Sequence, residues 1–213
     1  MPSPVGHAIA GLTTAWIADR VLRKVRLKPD TTEAEVRLQP DTTEAEVRLE
    51  PGTTDAGRWL PLACVVAAAA PDLDLLVSTH RTYSHSLGAA ILAGLCAWLV
   101  LKIKSKGKRQ KSNSAAGTFA FLIATAYFSH IVLDWLGKDT SVPPGMMALW
   151  PISSTFYLSG LDLFPEISRR YWRPSEFIVG NLRSLAWEMV ILGPVAAVAW
   201  RIRVRTGNER IHR

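Results

Sequence analysis

Five apolar stretches dominate this 213-residue chain, at roughly 5–22, 59–77, 86–103, 117–136 and 183–201. A helix needs about 20 apolar residues to cross a bilayer. Inside the hydrocarbon a helix is favoured because it satisfies its own backbone polar groups. The third stretch, SLGAAILAGLCAWLVLKI, and the fourth, GTFAFLIATAYFSHIVLDWL, are the strongest. The second, WLPLACVVAAAAPDLDLLV, is strong up to Pro71, and the fifth, LRSLAWEMVILGPVAAVAWRI, carries Glu188 and Pro194. The first, VGHAIAGLTTAWIADRVL, is marginal, with His7 and Asp19 inside it. The pattern predicts an all-α integral membrane helical bundle of about five helices, four strong spans plus the marginal first, as one domain over 1–213. A soluble helical bundle would require the same runs to be core.

The charge agrees with this class. The chain is 48% hydrophobic yet carries a formal net charge of +7. The basic residues cluster after the first stretch (Arg20, Arg23, Lys24, Arg26), after the third (Lys102 to Lys111) and after the fifth (Arg201 to Arg213). If all five stretches cross, these clusters share one side, which the positive-inside rule makes cytoplasmic. The N-terminus is then expected outside and the C-terminus in the cytoplasm. Basic flanks of this kind meet anionic membrane lipids, so the charge is no sign of a nucleic-acid partner. Cys64 and Cys96 both lie in apolar runs and cannot build a zinc ribbon or a disulfide framework. MPSPVGHAIAGL has no basic n-region and is not read as a cleaved signal peptide.

Between the first two stretches, VRLKPDTTEAE, VRLQPDTTEAE and VRLEPGTTDAG form an eleven-residue tandem repeat over 25–57. Each copy offers little more than Val and Leu to bury, so the repeat is expected to be a solvated, flexible insert rather than a solenoid.

The polar residues inside the apolar frame are selective. Under the five-span topology His7, the PDLD of 71–74, His85, and His130 with Asp134 all fall at the outer ends of their spans. Four separate stretches thus deliver ionisable groups to one face, and such groups at membrane depth are expensive and usually functional. His130 and Asp134 stand four apart, on one helix face. That is a natural pair of metal ligands; the plainer reading is a buried His bonded to its own Asp. His80 and His85 are five apart and need a chain break between them to converge. Asp72 and Asp74 point the same way only if their segment is extended; helix capping is the plainer role for either. Of the five histidines only His212 lies outside these motifs. Imidazoles and carboxylates together favour a divalent metal, zinc first, with manganese or iron next.

The segments GHAIAGL, APDLD, HRTYSHS, YFSHIVLDWL and PPGMMALWPIS resemble the YdjM/YbcI-like family of bacterial membrane-bound metal-dependent hydrolases. His7, Asp72, Asp74, His80, Arg81, His85, Ser86, His130 and Asp134 match that family's pattern, and Ser84 stands where a Thr is usual. The likeness covers most of the chain except the repeat and weakens after about 155. It implies a bacterial inner-membrane enzyme. The order of motifs is also similar to zinc-dependent phospholipase C and related nucleases. Those have further His and Glu ligands downstream, whereas here no His falls between 130 and 212. Glu188 is a substitute ligand on that view, or else a solvent-facing carboxylate or a partner of Arg183.

The expected metal ligands are His85, His130, Asp74 and Asp134, with His7 and His80 beside them. Asp72 is the expected base. Arg81 would hold an anionic group such as phosphate, unless it snorkels to the interface. The expected reaction is hydrolysis of a phosphoester or lipid-linked substrate by metal-activated water. The alternative is a non-enzymatic membrane protein using the cluster as a structural metal site or an ion path. Trp135, Trp150 and Trp172 suit the membrane interface, and LSGLDLFPEI is read as a short interfacial helix over the site.

Overall fold

The computed structural model describes residues 2–26, 55–77, 81–104 and 111–208. The repeat, all but its ends, lies outside these residues. So does His80.

Helix α1 (Pro4–Arg26) begins with a well-formed cap. Ser3 precedes Pro4, whose missing N–H suits the first helical position, and Ser3 Oγ accepts the Gly6 N–H at 3.1 Å. Helix α2 (Asp55–Ala69) stops two residues before Pro71. Proline cannot donate to the helix ladder and disfavours helical geometry in the residue before it. The chain continues as a 3₁₀ segment (Ala70–Val77), and a 3₁₀ turn (Tyr83–His85) leads into α3 (Leu87–Lys104). Helices α4 (Lys111–Leu136) and α5 (Pro174–Asn208) complete the bundle.

All the helices belong to one all-α membrane bundle, but the apolar stretches are not equal. Among the described residues three helices have the length and composition to cross a membrane: α3, α4 and α5. Of the four stretches expected to span, the second stands outside this set by the length of its α-helix. Its apolarity runs on to Val77, yet its α-helix is only 15 residues long. Helix α1 has the length, with 23 residues, but its polar content keeps it out of that set. Its inner face is covered by α2, α4 and α5.

Helix α4 is the central post, packed against α1, α2 and α3. Protein buries 44% of its apolar stretch but only 11% of those of α3 and α5, so the latter two present their apolar side chains outward. The core is built from small residues. Ala15, Ala18, Cys64, Ala67 and Ala126 meet Leu60, Leu122 and Ile123 where α1, α2 and α4 cross. Small side chains let helix backbones approach closely, as membrane bundles require. Gly11 shows how closely: a Cβ there would lie 2.5 Å from the Cys64 carbonyl oxygen.

Contacts at both ends fix the helix directions. Ser3 of α1's cap meets Glu188 of α5 at one end, and Asp19 pairs with Arg203 at 3.3 Å at the other. Helices α1 and α5 therefore run parallel. The start of α1, the end of α2, the start of α3 and the end of α4 all come to the Ser3 end.

Residues 137–173 fold back over that end without forming a helix. The interfacial helix expected at LSGLDLFPEI is absent. Its backbone bonds go elsewhere: Leu163 N–H donates to Leu136 at 2.8 Å, and Lys138 N–H to Phe164 at 2.8 Å. The same loop caps α3. The Leu87 and Gly88 amides donate to the carbonyls of Ala148 and Trp150, at 2.8 and 3.1 Å. Ser86 Oγ takes the Ala89 amide at 3.1 Å. Three of the amides that a helix start leaves unpaired are thereby satisfied.

Candidate metal centre

His130 and Asp134 project from one face of α4, and His130 Nε2 lies 3.1 Å from Asp134 Oδ2. From the start of α1, His7 places Nε2 3.2 Å from Asp134 Oδ1. His85, delivered by the turn before α3, places Nε2 3.3 Å from Asp134 Oδ2 and 3.1 Å from His130 Nε2. Asp72 closes the group, its Oδ1 3.7 Å from His130 Nε2 and 3.8 Å from His85 Nε2. The His7 ring stacks on His130 with centroids 3.6 Å apart. His7, His85, His130 and Asp134 are almost wholly buried. The Asp72 side chain retains 20% exposure, so the centre reaches the protein surface on that side.

The outer ring nitrogens reveal which atoms are lone pairs. His130 Nδ1 lies 2.7 Å from the Ala68 carbonyl oxygen, which only accepts, so Nδ1 carries the proton. His85 Nδ1 faces Asp74 Oδ2 at 3.1 Å, again an acceptor. In the neutral rings both Nε2 atoms then present lone pairs to each other across 3.1 Å. Both oxygens of Asp134 are buried without a hydrogen-bond partner. Burying a charge in this way is costly unless something pairs with it. A cation among these atoms would resolve the conflict. The spacings suit one, since tetrahedral ligands about 2.0–2.1 Å from zinc lie roughly 3.3 Å apart. Two trios bring their donor atoms within 4.8 Å of one another and share His130: His7, His130 and Asp134, and Asp72, His85 and His130.

Asp72 and Asp74 do not point the same way. In a 3₁₀ segment residues two apart lie about 120° apart around the axis, and the two carboxylates straddle His85. Asp72 faces Nε2, on the inside of the cluster. Asp74 faces Nδ1, and also accepts Ser84 Oγ–H at 2.5 Å and the Arg81 amide at 3.2 Å. Arg81 has φ 69°, a left-handed conformation uncommon outside glycine. Its guanidinium pairs with Asp139 and donates to Ser141 Oγ.

Asp139 was not legible as part of this network. It takes the Ser141 amide at 2.9 Å and the Gly145 amide at 2.6 Å. Burial pushes its carboxyl upward, but the donors of Ser141, Gly145 and Arg81 outweigh this and hold it below the usual carboxylate range. Glu188 is neither solvent-facing nor a partner of Arg183. It is fully buried and receives the Ser3 amide at 2.6 Å. The Ala68 carbonyl, being backbone, left no signal in the sequence. Ser84 was signalled only as a hydroxyl beside His85.

Fold and centre together define the class: an all-helical membrane protein with a buried His/Asp cluster able to hold a metal ion. More particularly, the chain belongs to the YdjM inner membrane protein family, whose model matches residues 1–206. No curated protein and no solved structure matches the chain.

Proposed function

We propose that the protein is a membrane-bound metal-dependent hydrolase acting on a phosphoester or lipid-linked substrate at the membrane face. The observation that carries this reading is the meeting of two imidazole Nε2 atoms, 3.1 Å apart, beside a buried carboxylate with no hydrogen-bond partner. His7, His85, His130 and Asp134 would hold the ion, and their mixed nitrogen and oxygen donors favour zinc. Bound there, zinc would lower the pKa of water to about 7 and so supply a nucleophile at neutral pH. Asp72, at the solvent side, is placed either to complete the ligand set or to take the proton of the attacking water. Asp74 and the Ala68 carbonyl hold His85 and His130 with their Nε2 lone pairs inward, as partners of metal-bound imidazoles generally do. Arg81, tied to Asp139, fixes the loop beside the cluster rather than standing open for an anion.

The rival is a structural metal site in a non-enzymatic membrane protein. It is favoured by the near-complete burial of four of the five donors, because structural sites are closed and catalytic ones keep a position for water. Asp72→Asn separates the two. The detergent-purified protein is loaded with zinc or manganese and offered aryl phosphodiesters and phospholipids. In a hydrolase, cleavage stops on chelation and falls at least about a hundredfold in Asp72→Asn, while the variant still holds metal. Metal binding with no cleavage of any of these substrates would leave the structural reading.

A further inference from the structure

Glu188 belongs to neither trio that could hold a metal ion, yet it is a fully buried carboxylate in a helix long and apolar enough to cross a membrane. What it touches is the cap of α1. Its Oε1 takes the Ser3 amide at 2.6 Å, and its Oε2 takes the Ser3 hydroxyl. Ser3 passes the restraint on, since Oγ accepts the Gly6 amide at 3.1 Å and its carbonyl accepts the His7 amide at 3.2 Å. His7 then reaches Asp134. The fit is tight: a Cβ on Gly6 would lie 2.7 Å from Glu188 Oε2. The Glu188 oxygens also face the positive end of the α1 helix dipole.

His7 needs such a restraint more than the other two histidines do. His130 is fixed by Ala68 and His85 by Asp74 through their Nδ1 atoms, whereas His7 Nδ1 is buried without a partner. Apart from its stack on His130 and its contact with Asp134, its position depends on the backbone that carries it.

We infer that Glu188 is a positioning residue: through Ser3 it locks the first turn of α1 and so holds His7 Nε2 in the metal centre. This rests on the proposed centre, but it can be tested without metal. The reagent is diethyl pyrocarbonate on the full-length, metal-free protein in detergent, with the modified histidines read by mass spectrometry. Glu188→Ala is expected to raise the modification rate of His7 about tenfold, the factor that corresponds to losing one helix cap. His85 and His130 should stay protected. Glu188→Gln keeps an acceptor for the Ser3 amide and is expected to restore His7 to within about threefold of wild type.

Zinc affinity is read on the same variants. It should fall about tenfold or more in Glu188→Ala, as when a partner that orients a ligand is removed. If all three histidines open together in Glu188→Ala, Ser3→Ala decides in its place, with His7 alone expected to open. His7 staying at its wild-type rate in Glu188→Ala, or opening only together with His85 and His130 in both variants, overturns the inference. Wild-type protein that binds no zinc overturns the proposed metal centre and leaves the His7 result standing.

Discussion

Asp134→Asn puts the centre to its hardest test, because the metal-bound and metal-free proteins should respond in opposite directions. Asp134 stands 3.1 to 3.3 Å from the Nε2 atoms of His130, His7 and His85, with no hydrogen bond to either oxygen. Asparagine keeps the shape and removes the charge. A structural zinc site contributes about 10–16 kcal/mol, or roughly 3 kcal/mol for each of four ligands. Since 1.4 kcal/mol is a factor of ten, the variant should bind zinc about a hundredfold more weakly. At free zinc one hundred times the wild-type Kd, the wild type gains about 2.7 kcal/mol of stability and the variant only about 0.4 kcal/mol. Without metal the order changes. The wild type then buries an uncompensated carboxylate, so the metal-free variant should unfold at the same temperature or higher. Thermal unfolding in detergent, with zinc and with chelator, reads both arms. Equal destabilisation of the variant in the two conditions would refute the reasoning. It would mean that Asp134 is an ordinary partner of a charged imidazole, with no metal involved.

Three further outcomes follow from the geometry. Gly11→Ala should lower stability by about 1–3 kcal/mol, because its Cβ would meet the Cys64 carbonyl at 2.5 Å and Ala68 Cβ at 2.8 Å; unchanged thermal unfolding would show that α1 and α2 do not cross so closely. Asp139 has its pKa held down in the folded protein, so its stabilising contribution is present above the ordinary carboxylate value of about 4 and is lost as pH falls through the folded value. Asp139→Asn should therefore unfold below wild type at pH 7, and the gap should close towards pH 3; a gap independent of pH would sink this account. On the sidedness expected from the positive-inside rule, a fluorescent protein fused to the C-terminus should light up and an alkaline phosphatase fused there should stay inactive. The reverse result would invert the assigned sidedness.

Features set by local spacing were legible in the sequence. His130 and Asp134 share a helix face because they are four residues apart, and the apolar runs marked out α3, α4 and α5. What failed depended on where backbone groups find partners. The second stretch looks like a span to Val77, but Pro71 ends the α-helix at Ala69. That same 3₁₀ segment turns Asp72 and Asp74 to opposite sides of His85, where extended geometry would have aligned them. The stretch from 158 to 167 is apolar enough to suggest an interfacial helix, yet its Ser159 and Leu163 amides are drawn to the carbonyls at the end of α4. The Ser3–Glu188 contact joins residues 185 apart. No pattern within one stretch could announce it.

That separation bears on how the protein is made. Translation at about 5–20 residues per second puts roughly 10–40 s between the emergence of Ser3 and that of Glu188. Helices α2 to α4 can bring His85, His130 and Asp134 together during that interval. Helix α1 lacks its clamp until α5 has been synthesised and docked. Of the described helices, α1 is made before the others and receives this clamp only after them, and a centre closed by so distant a contact belongs among the slow, non-local events of folding.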